Sequence, residues 1–132
     1  MLVVEDEWMV ADHIGMLLED IGCEIVGPAA TIEDALALLQ TERIDGALLD
    51  ANLNGISSAP VAAALCVARV PFIVVTGYGN LELPTNEMNA APRLTKPFNA
   101  ANFEDMISRT LATAQKTDGL GSSARRISRS FK

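Results

Sequence analysis

The chain has 132 residues, 49% of them hydrophobic, and a formal net charge of −7, which suits a single domain with its own core. The acidic balance argues against nucleic acid as the main partner, since phosphate binding draws on clustered Lys and Arg. With no signal-like segment and no apolar span near membrane length, we expect a cytoplasmic protein without a membrane partner.

The first half of the chain alternates short apolar runs with helical periods. MLVV predicts a buried strand, and from Trp8 to about Ile21 apolar residues recur at helical spacing until Gly22. CEIVGPA predicts a second strand. TIEDALALLQ predicts a helix capped by Thr31, with Asp34 at the capping-box position, and GALLD predicts a third strand.

The second half continues the alternation. A helix is predicted from about Ser57 to Ala68, where Pro60 is tolerated because it lies in the first turn. VPFIVVT predicts a fourth strand and RLT a brief fifth strand. The segment between Asn80 and Pro92 has room for one short helix at most, and we expect mobility there. The final helix is predicted from about Ala100 to Ala114.

Five apolar runs that alternate with helices imply an α/β fold with one five-stranded parallel sheet, helices on both faces, and a short or irregular fourth helix. The two cysteines, Cys23 and Cys66, lie inside apolar runs. We expect both to be buried free thiols and not a bridge, a metal site or a nucleophile.

The basic residues are distributed unevenly along the chain. All 17 acidic residues and six of the ten basic ones lie within residues 1–118, and the last 14 residues hold four basic residues and no acid. A short basic end led by Gly and Ser is typical of a disordered tail. We expect a folded domain over residues 1–117 and a basic tail over residues 118–132.

Four of the predicted strands end in residues that can carry chemistry. Glu5 and Asp6 follow the first strand, Asp50 the third, Thr76 the fourth and Lys96 the fifth. Ligands of such sheets bind beyond the carboxyl ends of the strands, so these side chains are expected at one edge. Clustered carboxylates repel one another unless a cation lies among them, and oxygen ligands favour Mg²⁺ beside a phosphate.

The charges suggest phosphoryl chemistry at this edge. A carboxylate such as Asp50 can act as a nucleophile toward phosphorus and form an aspartyl phosphate. Lys96 would then be a countercharge for the phosphoryl oxygens, and Thr76 a hydroxyl donor to one of them. Taken alone, Asp50 would be an ordinary turn residue; taken with the other strand ends, it is predicted to be the phosphoacceptor.

The set resembles the receiver domain of two-component response regulators, a CheY-like domain of flavodoxin-like fold. The matching pieces are the acidic pair Glu5-Asp6, Asp50 at the end of ALLD, Thr76 in VVTG, and Lys96 in TKPF. The resemblance covers residues 1 to about 117.

The resemblance also implies a ligand set and a phosphate donor. By it, Asp6 and Asp50 bind Mg²⁺ with the main-chain carbonyl of Asn52, and Glu5 acts mainly through water. A histidine kinase or a phosphotransfer protein would supply the phosphoryl group. The domain would then be a signalling module, and its only catalysis would be of its own phosphorylation and dephosphorylation.

Further sequence motifs narrow the resemblance to a subgroup of receiver domains. DANLNG, PVAAAL, PFIVVTGYG and LTKPF are similar to atypical single-domain receivers nicknamed FAT GUY, which are associated with HWE-type histidine kinases. Asn54 stands where proline is common in ordinary receivers, and Arg93 stands where a switch Tyr or Phe is usual. Val74 and Val75 stand where the nickname implies Phe and Ala.

The leading function is therefore a stand-alone response regulator receiver that is phosphorylated on Asp50 with Mg²⁺ and acts through contacts with a downstream protein. One alternative is a degenerate receiver used only for binding. Another is a Mg²⁺-dependent phosphohydrolase with an aspartyl nucleophile, which would need an acid at position 52, where the chain has Asn52. Tyr78 could gate the site, and a role as an exposed loop residue is equally consistent with the sequence.

Overall fold

Five short apolar runs pair side by side as one sheet in the computed structural model, which describes residues 1–77 and 82–118. The strands of the described residues are β1 (Leu2–Val4), β2 (Val26–Ala29), β3 (Ala47–Asp50), β4 (Asn52–Leu53), β5 (Ile56–Ser57), β6 (Phe72–Thr76) and β7 (Arg93–Thr95). The helices are α1 (Trp8–Asp20), α2 (Ile32–Thr41), α3 (Ala59–Val67), α4 (Asn86–Ala90) and α5 (Ala100–Asp118).

The main sheet has the order β2-β1-β3-β6-β7, and every pair of neighbours is parallel. The predicted α/β fold, a flavodoxin-like five-stranded parallel sheet, is confirmed. The fourth helix is short, as predicted, with five residues. All carboxyl ends of the five strands therefore lie at one edge of the sheet.

The helices cover both faces of the sheet. Successive residues of a strand point to opposite faces, so Val3 and Val4 enter different halves of the core. One half packs against α1 and α5 and includes Val3, Leu48, Ile73, Leu94, Ile14, Leu18, Phe103 and Ile107. The other half packs against α2, α3 and α4 and includes Val4, Leu49, Val74, Ala35, Val61, Leu65 and Met88.

Local interactions fix two of the element boundaries. The hydroxyl of Thr31 accepts a hydrogen bond from the main-chain N–H of Asp34 at 3.1 Å, which confirms the predicted cap of α2. Gly27 lies within β2 at a φ of 101°, and a Cβ there would meet the carbonyl oxygen of Val3 at 2.9 Å. Glycine is therefore required where β2 approaches β1.

A small hairpin after β3 was not predicted from the sequence. Strands β4 and β5 pair in antiparallel fashion, with Leu53 opposite Ile56, and a two-residue turn joins them. Both turn residues have positive φ, 52° at Asn54 and 83° at Gly55. Asn-Gly is the sequence that such a turn prefers, because both residues tolerate the left-handed region.

Several other expectations need correction. Helix α3 begins at Ala59 and not near Ser57, because Ser57 belongs to the hairpin, and α5 continues to Asp118. Cys23 is buried as predicted, but Cys66 is exposed. Cys66 lies on the outer side of α3, whose buried residues are Val61, Ala62 and Leu65.

Residues 119–132 of the predicted tail, and Tyr78, lie outside the described residues. The boundary between a domain of residues 1–117 and a tail therefore stays a prediction. Over residues 1–77 and 82–118, no helix combines the length and the apolar character needed to cross a membrane.

The packing of α3 leads to a test of the fold. Leu65 is fully buried against the sheet, whereas Val67, two residues later on the same helix, is 86% exposed. We expect Leu65→Ala to lower the free energy of unfolding by about 2–5 kcal/mol, because it removes buried methyl groups and leaves a cavity. Urea titration followed by circular dichroism measures this change.

The matched control is Val67→Ala, which should change the free energy of unfolding by no more than about 0.5 kcal/mol. Equal losses for the two variants would contradict the placement of α3 on the sheet.

Candidate functional site

Parallel pairing brings three acidic residues together at the carboxyl edge of the sheet. Val4 of β1 lies opposite Leu49 of β3, so the residues that follow, Glu5 and Asp50, end side by side. Asp6 comes next on the loop into α1. One carboxylate oxygen from each of these three acids lies within 4.8 Å of the others.

Lys96 reaches the acidic cluster from the end of β7. Its Nζ lies 3.2 Å from Oδ2 of Asp50 and 3.2 Å from Oε1 of Glu5. The main-chain N–H of Lys96 donates to the carbonyl oxygen of Thr76 at 2.8 Å, which fixes the lysine beside the end of β6. Burial disfavours the charged ammonium, but the attraction of Asp50 and Glu5 outweighs it and raises the pKa of Lys96.

Asp50 is the last residue of β3 and is 6% exposed. Its two carboxylate oxygens have different partners. Oδ1 accepts a hydrogen bond from the main-chain N–H of Asn52 at 3.1 Å, and Oδ2 accepts one from Nζ of Lys96. The carboxylate is therefore held in one orientation at the mouth of the site, with a cation on one oxygen.

Glu5 is more deeply buried than Asp50, at 2% exposure. Its pKa is raised to about 7, first by burial and then by hydrogen bonding with Asp50 and repulsion from its charge, while the main-chain N–H of Glu7 and the charge of Lys96 oppose the rise. Oε2 accepts from that N–H at 3.1 Å. Oε1 has no hydrogen-bond donor, although it lies in charge contact with Lys96.

The donor set fits a hard divalent cation. It consists of carboxylate oxygens from Glu5, Asp6 and Asp50, and it includes a buried oxygen of Glu5 that lacks a hydrogen-bond donor. A single lysine contacts two of the three acids, and its one positive charge cannot neutralise them all, so negative charge remains. Oxygen ligands with remaining negative charge suit Mg²⁺ or a similar ion.

Two other predicted site residues, Thr76 and Asn52, lie on the same edge. Thr76 ends β6 and is buried, and the residue before it, Val75, pairs with Asp50. Asn52 is exposed and begins β4, two residues after Asp50. The metal-binding role of its main-chain carbonyl stays a prediction. Arg93 lies at the start of β7, and its Nη2 donates to the side-chain oxygen of Asn89 at 2.9 Å.

Two contacts of the site escaped the sequence analysis. The main-chain N–H of Asn54 donates to Oδ2 of Asp6 at 3.1 Å. Glu7, directly before α1, makes no side-chain cap bond to that helix, and its Oε1 lies 3.6 Å from Nζ of Lys96. The Asn-Gly pair is typical of a hairpin turn, and this hairpin supplies the N–H of Asn54 that contacts Asp6.

Comparison with known sequences points to one family. The model of the response regulator receiver domain family matches residues 1–108 of the chain. The sensory transduction protein LytT of Bacillus cereus is 34% identical over 118 residues, and LytT of Bacillus subtilis is 30% identical over 120 residues. These alignments cover 87% and 89% of this chain but 46% and 48% of the relatives, so the chain spans about half of their length.

Comparison with solved structures points to the same family. The CheY-like response regulator receiver domain protein of Methanospirillum hungatei matches with a TM-score of 0.76 and 28% identity, over 88% of this chain and 95% of that chain. The response regulator PhyR of Brucella abortus matches with a TM-score of 0.78 and 30% identity, over 89% of this chain and 49% of that chain.

The raised pKa of Glu5 predicts how stability depends on pH without metal. Folded Glu5 has a pKa of about 7 against 4.5 for the free side chain, so the folded state binds the proton more tightly. The stabilisation from this proton is fully present below the unfolded pKa of 4.5 and is lost as pH rises through the folded pKa of about 7. Urea titrations in EDTA should show the free energy of unfolding fall by about 1–3 kcal/mol between about pH 5 and about pH 8.

The side chain of Glu5→Gln cannot titrate. The free energy of unfolding of this variant should therefore change little over this pH range, and it should exceed that of the wild type at the higher pH. Glu19→Gln, at an exposed position of α1, should keep the wild-type dependence. The assignment is wrong if Glu5→Gln and the wild type lose the same free energy over this range.

Proposed function

The chain belongs to the response regulator receiver domain family, and from that premise we propose that Asp50 accepts a phosphoryl group from a histidine kinase while Mg²⁺ is bound. The observation that carries the proposal is the environment of Asp50 at the end of β3. Its carboxylate lies 3.2 Å from the ammonium of Lys96 and has an oxygen within 4.8 Å of carboxylate oxygens of Glu5 and Asp6. These contacts support the roles that we propose, with Asp50 as the nucleophile, Lys96 as its countercharge and the acids as cation ligands.

The transfer step needs only an oxygen of Asp50 as nucleophile. A lone pair of that oxygen forms the new O–P bond while the N–P bond of phosphohistidine breaks, and the electron pair of the broken bond stays on the imidazole nitrogen. When the ring carries a proton on its other nitrogen, it leaves as neutral imidazole. The hydrogen bond from Asn52 N–H to Asp50 Oδ1 orients the attacking carboxylate.

The charges around Asp50 favour the phosphorylated product. Lys96 contacts Oδ2 of Asp50. Once the carboxylate has become an acyl phosphate, the same ammonium can contact a phosphoryl oxygen instead. Thr76, at the end of the neighbouring strand, would donate its hydroxyl to another phosphoryl oxygen. Bound Mg²⁺ would offset the negative charge of the carboxylates and of the phosphoryl group.

Asp6 and Asp50 would hold the cation directly, with the main-chain carbonyl of Asn52 as a further ligand and Glu5 acting mainly through water. Glu5 and Asp6 follow β1, Asp50 ends β3 and Asn52 lies just after it. The cation would therefore lie where these two strands end. The phosphohydrolase alternative is less well supported, because position 52 carries an amide. The side-chain oxygen of Asn52 accepts from the N–H of Gly55 at 2.7 Å and belongs to the hairpin turn.

The partners that we propose are a histidine kinase, of the HWE type if the FAT GUY resemblance holds, or a phosphotransfer protein, and a downstream protein that distinguishes the phosphorylated form. Trp8 and Met9, in the first turn of α1 directly after the acids, are 76% and 68% exposed. Large apolar side chains at that position suit a protein contact. Output through a protein surface is therefore preferred over binding of nucleic acid.

Labelling with a small phosphodonor tests the proposal. Phosphoramidate carries an N–P bond like that of phosphohistidine and needs no identified kinase. With MgCl₂, the intact mass of the wild-type protein should rise by one phosphoryl group, and hydroxylamine should remove the group because it cleaves acyl phosphates. EDTA should abolish the labelling.

Asp50→Asn should stay unlabelled, and Asp20→Asn, at the far end of α1, should be labelled like the wild type. Labelling of Asp50→Asn at the wild-type rate would overturn the assignment of the acceptor. If the wild type takes up no phosphoryl group from phosphoramidate or from an autophosphorylated HWE-type kinase, the binding-only alternative is correct.

A further inference from the structure

We propose that the Asn54–Gly55 turn is a positioning device for Asp6, and that the residue at position 54 sets the affinity of the site for Mg²⁺. The inference rests on the proposed function in assuming that Asp6 binds the cation. It concerns a main-chain donor that the sequence pattern of the site does not include.

The contact joins two distant parts of the chain. The main-chain N–H of Asn54 donates to Oδ2 of Asp6 at 3.1 Å across 48 positions of sequence. Asp6 lies on the loop between β1 and α1 and is only half-buried, so its side chain is less confined by packing than that of Glu5. The N–H occupies one carboxylate oxygen and leaves Oδ1 for a cation.

The same hairpin also holds Asp50. Asn52 N–H donates to Oδ1 of Asp50 at 3.1 Å, and Gly55 N–H closes the turn onto the side-chain oxygen of Asn52 at 2.7 Å. Pairing of β4 with β5 then fixes the distance between the donors at positions 52 and 54. One hairpin therefore carries the donors that contact both the Asp6 and the Asp50 carboxylates.

These donors also hold the two carboxylates in place against their mutual repulsion. A main-chain N–H directed at a carboxylate is a charge-assisted donor, and it keeps that carboxylate in one orientation. Without it, the Asp6 carboxylate would turn toward solvent and away from the charge of Asp50. Part of the free energy of cation binding would then be needed to reorient the Asp6 carboxylate, which lowers the affinity for the cation.

The geometry makes a specific demand on residue 54. Its φ is 52°, in the left-handed region, and its N–H must be present. Glycine meets both demands, alanine keeps the N–H but disfavours the backbone conformation, and proline meets neither because its ring fixes φ near −65° and removes the donor. The affinity for Mg²⁺ should therefore follow the order Gly, Ala, Pro at this position.

Titration of the full chain with MgCl₂ alone tests the order. Trp8 is the only tryptophan and lies two residues after Asp6, so its fluorescence can report binding, with calorimetry as a check. Asn54→Gly should bind within about twofold of the wild type. Asn54→Pro should bind about tenfold more weakly, and Asn54→Ala should fall between them.

A second readout separates positioning from general damage to the hairpin. Phosphoramidate labelling of each variant is followed as a function of MgCl₂ concentration. If residue 54 acts through Asp6, the Pro variant needs more MgCl₂ for half-maximal labelling but reaches a similar rate at saturation. A reduced saturating rate with unchanged MgCl₂ dependence would overturn the inference.

The remaining outcomes are also decisive. Equal affinities for the Pro, Ala and Gly variants, or equal losses in Gly and Pro, would show that the main-chain donor does not set the affinity. If the Pro variant does not fold, the comparison of Ala with Gly decides. Absence of Mg²⁺ binding by the wild type would instead refute the proposed metal site, and with it the premise.

Discussion

The ammonium of Lys96 is the contact on which the rest of the site depends, because it joins two buried acids from a third strand. Nζ lies 3.2 Å from Glu5 Oε1 and 3.2 Å from Asp50 Oδ2, so two carboxyl groups share one positive charge. Asp6 adds a further carboxylate and leaves this edge of the sheet negative. Such a charge would favour a divalent cation, and the same ammonium would suit phosphoryl oxygens. The parallel sheet serves function by bringing these charges to one edge.

Much of this arrangement follows from patterns that a sequence displays directly. The runs MLVV, ALL and FIVV are apolar without interruption, as strands buried on both faces must be, and the helical periods between them require parallel connections. Once the strands are parallel, their carboxyl ends must meet. The proximity of Glu5, Asp50 and Lys96 was therefore predictable, even though no single residue indicated it. Their chemical roles rest on the family resemblance and on the electrostatics of the cluster.

What the sequence could not predict depends on side-chain direction or on main-chain atoms. Helix α3 is apolar on nearly every side, so periodicity could not show that Cys66 points outward. The bond from Asn54 N–H to Asp6 uses a main-chain atom and spans 48 residues, so residue identity carries no direct sign of it. Asn54 was visible only as a departure from the proline of ordinary receivers. The positive φ and the donated N–H are both compatible with asparagine and not with proline.

The central claim is that a phosphoryl group is attached to Asp50, and chemical mapping of the acyl phosphate tests it most directly. Borohydride reduces an aspartyl phosphate to homoserine, so a protein labelled in the presence of Mg²⁺, then reduced and digested, carries the mark at the acceptor. Peptide sequencing by mass spectrometry should find homoserine at position 50. Homoserine at Asp6 or at another acid, or a labelled protein that yields none, would contradict the assignment of Asp50 as the phosphoacceptor.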